Sequence, residues 1–382
     1  MEGKPDSTGS AVQVARNSGP PRSPHYRVLS GGDGAAWNRV LPPSRSVFGS
    51  YSFVTLVAQK RGFEPALLVV EGAAGHIAYP LLLRPAKDLP FARGLFSYDS
   101  LTPEYTGPII TGVASPELQD HFRASVDLYS SEKQIVAEFC HLHPWAGLGG
   151  ILDTDRMQYD RDIVYVDLSI PPEVLWRDHF SHACRKNINR GRQRNLRVFQ
   201  AETEEHIREF YRIYVTTMDR NRADSCYYFD LEYFLSIFKQ MASNARFVLA
   251  EYQGKVVAAT LYMHDAADVF SYLGGADVAA QDARPTNAVV FDTINWARRE
   301  GKQRVVLGGG YRPNDGIFRF KSSFSRTTAR FFVYRKVRLH EQYAELERRW
   351  QEYYGVPPDT QYFPSYRLSA PGHGGSQPTE DE

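Results

Sequence analysis

Residues 66–83, ALLVVEGAAGHIAYPLLL, and residues 247–263, FVLAEYQGKVVAATLYM, carry one pattern twice: an apolar run, a short turn containing glycine, and a second apolar run. Each reads as a pair of strands, and the repetition predicts a chain of two related halves. After the second copy come strand DVFSYLGG, a helix from about Asn287 to Glu300 that Gly301 ends, strand RVVLGG and strand ARFFVYRKV. Helices thus interrupt a mostly sequential sheet, an α/β or α+β layout. Ile207, Phe210, Tyr211, Tyr214, Val215 and Met218 form one apolar helical stripe that Thr203 can cap. Trp176, Phe180, Cys184 and Ile188, each four residues apart, predict a further helix, opened by Pro171 and Pro172 and closed by Gly191.

A chain of 382 residues with 42% hydrophobic and 13% aromatic content can bury sizeable cores, and its length suggests about two domains. Residues 1–24 and the stretch 368–382 are too polar and too rich in Gly, Ser and Pro to offset chain entropy, so both are expected to be disordered tails. No apolar run approaches the roughly 20 residues a membrane-spanning helix needs, and no secretory signal opens the chain, so a cytoplasmic protein is expected. Cys140, Cys184 and Cys226 are odd in number and widely spaced, which reads as free thiols.

The formal net charge is only +1, which argues against wholesale coating of nucleic acid. Against that background RKNINRGRQRNLRV, residues 185–198, holds six Lys or Arg residues and no carboxylate. Cations at a helix C-terminus gain roughly 0.3–1 kcal/mol each from the helix dipole, which accounts for a solvated basic helix end. Six exceed that need. The second reading is a phosphate-binding surface made of Arg185, Lys186, Arg190, Arg192 and Arg194.

A family resemblance runs through most of Asp162 to Val337. In order, the chain shows R-K-N-I-N-R (185–190), F-Y-R-I-Y-V-T-T-M-D-R (210–220), F-V-L-A-E-Y-Q-G-K-V-V-A-A-T, Y-L-G-G-A, P-x-N-A-V-V, W-A-R-R-E-G, L-G-G-G and F-R-F-K-S-S-F (318–324). This series resembles the FemABX family. The resemblance implies two tandem GNAT-like acyltransferase domains, each a mixed sheet flanked by helices, at 25–165 and 166–338. It also implies an extension over 339–367, carrying Leu339, Tyr343, Leu346 and Trp350, that folds back on the first domain. The activity implied is transfer of an amino acid from aminoacyl-tRNA, a co-substrate, onto an amine, typically in peptidoglycan cross-bridge synthesis. No other cofactor is implied.

The chain departs from the family's Tyr-x-x-Arg-Gly-Pro segment: it has P-E-Y-T-G-P (103–108), with Thr106 in place of the Arg, and it lacks the long coiled-coil insertion of some members. The acceptor therefore stays open among a cell-wall precursor, a peptide and a small molecule, the last two being the acceptors of related antibiotic-pathway enzymes. An acyl-CoA donor is disfavoured. The Gly-rich turn that places backbone amides against a pyrophosphate reads here A-A-Q-D-A-R-P-T-N (279–287), keeping Gln281 and Arg284 but not the glycines. A CoA-dependent N-acyltransferase and a noncatalytic binding protein of the same fold are the alternatives.

Aminoacyl transfer needs an amine that loses a proton and a donor for the oxyanion that forms on the ester. No Ser-His-Asp or Cys-His pattern suggests a covalent intermediate. Lys321 is the leading catalytic candidate: read as an extended segment, F-R-F-K-S-S-F would turn Phe318 and Phe320 to one face and Arg319 and Lys321 to the other. The resemblance sets the matching lysine beside the reacting ester. It also matches Lys60 and Arg220, with Arg222 adjacent, to contacts with acceptor phosphates, and Tyr272 to a tyrosine lining the acceptor site. Tyr105 and Tyr311, polar-tipped aromatics beside glycine turns, complete the substrate-binding candidates. The glycines of Leu307–Gly310 fit either a tight turn or a close approach to substrate. His141 and His143 lack nearby carboxylate or Cys spacing, so no metal is expected.

Overall fold

A computed structural model describes residues 25–368. The two expected tails, 1–24 and 368–382, lie outside those residues except for Leu368. The strands are β1 Arg27–Ser30, β2 Glu64–Glu71, β3 Gly75–Pro85, β4 Tyr98–Leu101, β5 Ile109–Gly112, β6 Ile135–His141, β7 Met157–Asp167, β8 Arg197–Gln200, β9 Ala245–Tyr252, β10 Lys255–His264, β11 Asp268–Ala276, β12 Arg304–Gly308 and β13 Thr328–Val337. The helices are α1 Gly34–Val40, α2 Tyr51–Arg61, α3 Pro116–Glu132, α4 Pro172–Val174, α5 His182–Gln193, α6 Glu204–Arg220, α7 Leu231–Gln240, α8 Pro285–Arg299, α9 Gly316–Ser322 and α10 His340–Tyr354.

All strands join one mixed sheet in the order β1-β2-β3-β4-β6-β13-β7-β12-β11-β10-β9-β8, with β5 added beside β3. The order reads alike from either edge. The two repeated hairpins are β2–β3 and β9–β10, and each half has one parallel pair, β4 with β6 and β11 with β12. At the centre the halves exchange strands: β13, from the end of the second half, pairs with β6, while β7 pairs with β12. β7 and β13 also pair with each other, so backbone hydrogen bonds run unbroken across the molecule.

The repeated runs are apolar at every position because both faces of these strands are covered. Phe247 and Leu249 of β9 enter the core under α6 and α7, whereas Val248 and Ala250 enter the core under α5 and α8. In the first half Leu67 and Val69 of β2 face α1 and α2, and Leu68 and Val70 face α3. The α6 stripe is core, and the Thr203 hydroxyl accepts from the His206 amide as its N-cap. Among the described residues no helix is long and apolar enough to cross a membrane.

The helix expected through Trp176 and Ile188 is two pieces. α4 runs on as a π turn through His179, Phe180 is extended, and Ser181 starts α5 by accepting from the Cys184 amide. Gly191 does not close α5. It is buried in the last turn, where a Cβ would meet the Ala283 carbonyl at 3.4 Å, so its role is close packing against the start of α8.

α10 lies against the first half, with Leu346, Trp350 and Tyr366 packed on Ala92 and Val136. Asp99, buried on β4, accepts from Tyr366 Oη (2.5 Å) and Arg367 Nε (2.7 Å). The segment after α10 is thereby tied to a strand 268 residues earlier.

Candidate active site

β11 and β12 pair only from Asp268↔Arg304 to Phe270↔Val306. Beyond that, β11 stays with β10 out to Ala276, while β12 runs into Gly308 and the glycine turn, and the sheet opens between them. The matching place in the first half stays closed. After the β4–β6 pairing, the Thr102 amide donates to Phe139 O (3.1 Å), the Thr106 amide donates to His141 O (2.9 Å), and Thr106 bridges to Leu142. Only the second half therefore presents an open cleft of this kind among the described residues.

Lys321 reaches this opening from a helix, not from the extended segment expected. Asp315 caps α9 by accepting from the Phe318 amide (2.7 Å), and it also takes the Tyr311 (2.7 Å) and Arg312 (3.1 Å) amides. That carboxylate folds residues 311–318 into a compact turn and sets the rotation of α9, so that Phe318 and Phe320 pack toward the core while Lys321 turns into the cleft. Lys321 Nζ donates to Gly309 O at 2.6 Å. A Cβ on Gly308, at φ +83°, would lie 3.3 Å from that Nζ and 3.4 Å from Tyr105 Oη, so this glycine leaves room for two polar groups from opposite halves of the chain.

The ammonium is short of solvation. Burial, and beside it the Arg161 guanidinium, outweigh the pull of Asp315 and bring the Lys321 pKa down to about 8. Arg161 itself donates to Gly310 O (2.7 Å) and Asp160 Oδ2 (2.5 Å). Tyr105, at φ +44°, stacks on Phe270 with ring centroids 5.2 Å apart, and burial holds its phenol protonated well above the usual range. Tyr311 is 60% exposed at the mouth of the cleft and meets the Tyr227 ring edge-on.

Arg161, Asp315 and Tyr227 escaped the sequence reading. Asp315 four residues after Tyr311 and just ahead of an aromatic helical turn is an N-cap signal that could have revealed α9. Nothing local marks Arg161, whose partner Gly310 lies 149 residues away.

The remaining substrate candidates do not converge on Lys321. Lys60 Nζ is paired with Asp230 Oδ2 at 2.5 Å and lines a groove with Gln59, Tyr233 and Ser236. Tyr272 is bound through its hydroxyl to Tyr233 (3.1 Å), which lines this groove, and packs against Phe48 and Phe53 of the core. Arg220 donates to Ala276 O (2.9 Å) at the far end of β11, and Arg222 is exposed at φ +46°. His143 Nε2 faces Asp268 at 3.6 Å and His141 lies between Phe139 and Phe331. Among the described residues no group of three or more His, Cys, Asp or Glu is placed to hold a metal.

The basic stretch divides. His182, Lys186, Arg190 and Arg194 recur every four residues on one face of α5 and, with Asn189 and Gln193, line an open groove of about 680 Å³. Arg185 borders the groove, but its Nη1 donates to the carbonyls of Trp176 (2.9 Å), Arg177 (2.8 Å) and Phe180 (2.6 Å), ends of the π turn that would otherwise lack partners. Arg192 lies apart, its guanidinium over the Phe291 ring at 5.0 Å. α5 also covers the start of α8: Pro285 and Asn287 are buried, Arg190 reaches Asp282 at 3.5 Å, and Gly191 sits on Ala283.

Residues 180–322 match the family model described as an acetyltransferase (GNAT) domain. Among solved structures, FemX superposes with a TM-score of 0.64 at 11% identity, covering 84% of this chain and 99% of its own. A conserved protein of unknown function from Bacteroides thetaiotaomicron gives 0.53 at 14% identity, covering 81% of this chain and 98% of its own. The C-terminal domain of a putative lysylphosphatidylglycerol synthetase from Agrobacterium fabrum gives 0.50 at 12% identity, over 79% of this chain and 92% of that one. No curated protein matches the sequence significantly. Among the described residues one open cleft of this kind lies in the second half of a doubled, strand-exchanged sheet, and the chain is FemX-like in fold with a GNAT-domain match over residues 180–322.

Proposed function

We propose that the protein transfers an aminoacyl group from aminoacyl-tRNA to an amine, converting an ester to an amide. The observation that carries this reading is the desolvated Lys321 ammonium held beside Tyr105 in the open end of the sheet. Of its three N–H donors one is taken by Gly309 O, leaving two for the reacting ester. The amine lone pair attacks the ester carbonyl carbon, and negative charge collects on the carbonyl oxygen. The C–O bond to the ribose then breaks, and the proton shed by the amine ends on the ribose hydroxyl. An ammonium in a low-dielectric cleft stabilises that charge far more than one in water. Tyr105, kept protonated, supplies a second donor, its hydroxyl.

The acyl donor is argued from two surfaces. The cationic face of α5 suits a phosphate backbone, while the start of α8, where a CoA pyrophosphate would need exposed amides, lies beneath α5. The acetyltransferase model matched by residues 180–322 favours an acyl-CoA donor instead. A labelled amino acid offered on tRNA to a pool of peptide, small-molecule and cell-wall precursor amines with neither acetyl-CoA nor ATP, and in a parallel assay labelled acetyl-CoA offered to the same amines, decides between them. Label appearing in an amide supports the proposal; transfer only from acyl-CoA replaces it with the second reading.

A further inference from the structure

β7 and β12 are both irregular where they border the cleft. On β7, Arg161 lies opposite Phe331 and Tyr159 opposite Phe332, so Asp160 has no partner across the ladder; on β12, Leu307 is skipped in the same way between Val306 and Gly308. An extra residue of this kind bends a strand and re-aims a side chain. Successive residues of a regular strand point to opposite faces, yet here Asp160 Oδ2 accepts from Arg161 Nε at 2.5 Å. Past its own extra residue β12 lays the glycine turn along β7: a Cβ on Gly309 would stand 2.7 Å from Arg161 Cδ and 2.9 Å from Asp162 O.

Arg161 and Lys321 thereby hold consecutive carbonyls of one turn. Lys321 Nζ donates to Gly309 O (2.6 Å) and Arg161 Nη1 to Gly310 O (2.7 Å). Glycines have wide backbone freedom and no side chain to pack, so residues 309 and 310 depend on such contacts for their place. The Gly309 carbonyl belongs to the peptide that links the two glycines, and holding Gly310 O limits how far that peptide can turn. A catalytic group displaced by about 1 Å can lose about two decades in rate.

We infer that Arg161 is a positioning residue for the transfer: it holds the glycine turn against β7 and so aims Lys321, without touching either substrate. The inference rests on the role given to Lys321 above. Arg161 also biases the proton on Lys321. The charged groups acting on that ammonium are Asp315 from the α9 cap, which favours it, and Arg161 from β7, which opposes it. Tyr105, from the connection between β4 and β5, is held protonated and neutral, and Asp160 is paired with Arg161. Removing the guanidinium frees Asp160 as well, so both changes favour the ammonium.

Two substitutions in the full chain separate geometry from charge. Arg161→Met loses both the charge and the donors, whereas Arg161→Lys keeps the charge but not the fork that reaches Asp160 and Gly310 O together. Single-turnover transfer at pH 7 should fall about tenfold or more in both, with KM for the amine and the donor unchanged. A nuclear magnetic resonance titration of the Lys321 side chain, which needs no substrate, should move up by about half a pH unit in Arg161→Met and stay at the wild-type position in Arg161→Lys. The Arg161 side chain is half-exposed, so thermal melts should change little. The inference is overturned by an Arg161→Met protein that transfers at the wild-type rate, that loses rate only as its melt predicts, or whose only defect is a higher KM, which would make Arg161 a substrate contact. A Lys321 titration that does not move overturns it too. If wild type transfers only from acyl-CoA, the tRNA reading fails and the same rates are compared with that donor. If it transfers from neither, the proposed function fails and the titration decides alone: an upward move supports the hold of Arg161 on the Lys321 site, and no move overturns it.

Discussion

Replacing Lys321 with Met should make the protein more stable at neutral pH while removing its activity. Each tenfold change in a protonation equilibrium is worth about 1.4 kcal/mol, so a fall from 10.5 to about 8 means the fold holds the ammonium at a cost of about 3 kcal/mol. Met keeps the length and removes the charge, but Gly309 O loses its donor, which takes back about 1 kcal/mol. The net gain at pH 7 is about 2 kcal/mol. The sign follows from linkage. The folded-state pKa is depressed, so between about pH 8 and 10.5 the unfolded chain binds more protons and wild-type stability rises with pH. The advantage of Lys321→Met should therefore shrink across that window and give way above it to a deficit of about 1 kcal/mol, the cost of the lost donor to Gly309 O. Turnover should drop by about two to three decades in the variant, and in wild type it should decline as the pH climbs through about 8 and the ammonium is lost. Urea titrations of both proteins at pH 7 and pH 10.5, with single-turnover transfer at pH 7, measure all of this. A Met variant that is less stable at pH 7, with the same pH dependence as wild type, would refute the desolvation argument; one that transfers at the wild-type rate would refute the catalytic assignment.

Other outcomes follow from the same contacts. Lys186→Ala/Arg194→Ala should weaken tRNA binding and lower the slope of affinity against salt by about two, whereas Arg185→Ala, which strips donors from three carbonyls, should lower stability by about 2 kcal/mol; filter binding at two salt concentrations and thermal melts separate the effects. Gly310→Ala would put a Cβ 2.2 Å from Asp315 Oδ1, so it should disrupt the α9 cap, cost about 1–2 kcal/mol and reduce transfer because Lys321 loses its position, as melts and single-turnover rates would record. Arg367→Ala leaves the Asp99 carboxylate buried without its strongest partner and should cost about 3–5 kcal/mol, with limited proteolysis then cutting first within the released segment after α10.

The elements of this fold were legible wherever local chemistry decides them. The two apolar hairpins, the α6 stripe with its Thr203 cap and the helix read from about Asn287 to Glu300, which starts two residues earlier at Pro285, appear where the pattern puts them, because period, caps and breakers act over a few residues. Lys321 was legible as a residue through the motif around it. Its surroundings were not, for the segment looks extended until Asp315 is seen holding three amides.

What the chain's own pattern determines, then, is the set of strands and helices, the doubling, and the amino acids available for chemistry, since each depends on neighbours within a turn or a strand. The three-dimensional arrangement alone decides that β7 and β13 change places between halves, that β11 parts from β12 while β4 stays with β6, and that Arg185 is taken up by carbonyls while Lys186 and Arg194 face solvent. Strand edges pair, and cations lose or keep their water, according to groups brought near from far along the chain. Arg161 finds Gly310 and Asp99 finds Arg367 only when the sheet is complete, and burial in that completed sheet is what turns an ordinary lysine at position 321 into one with a pKa near 8.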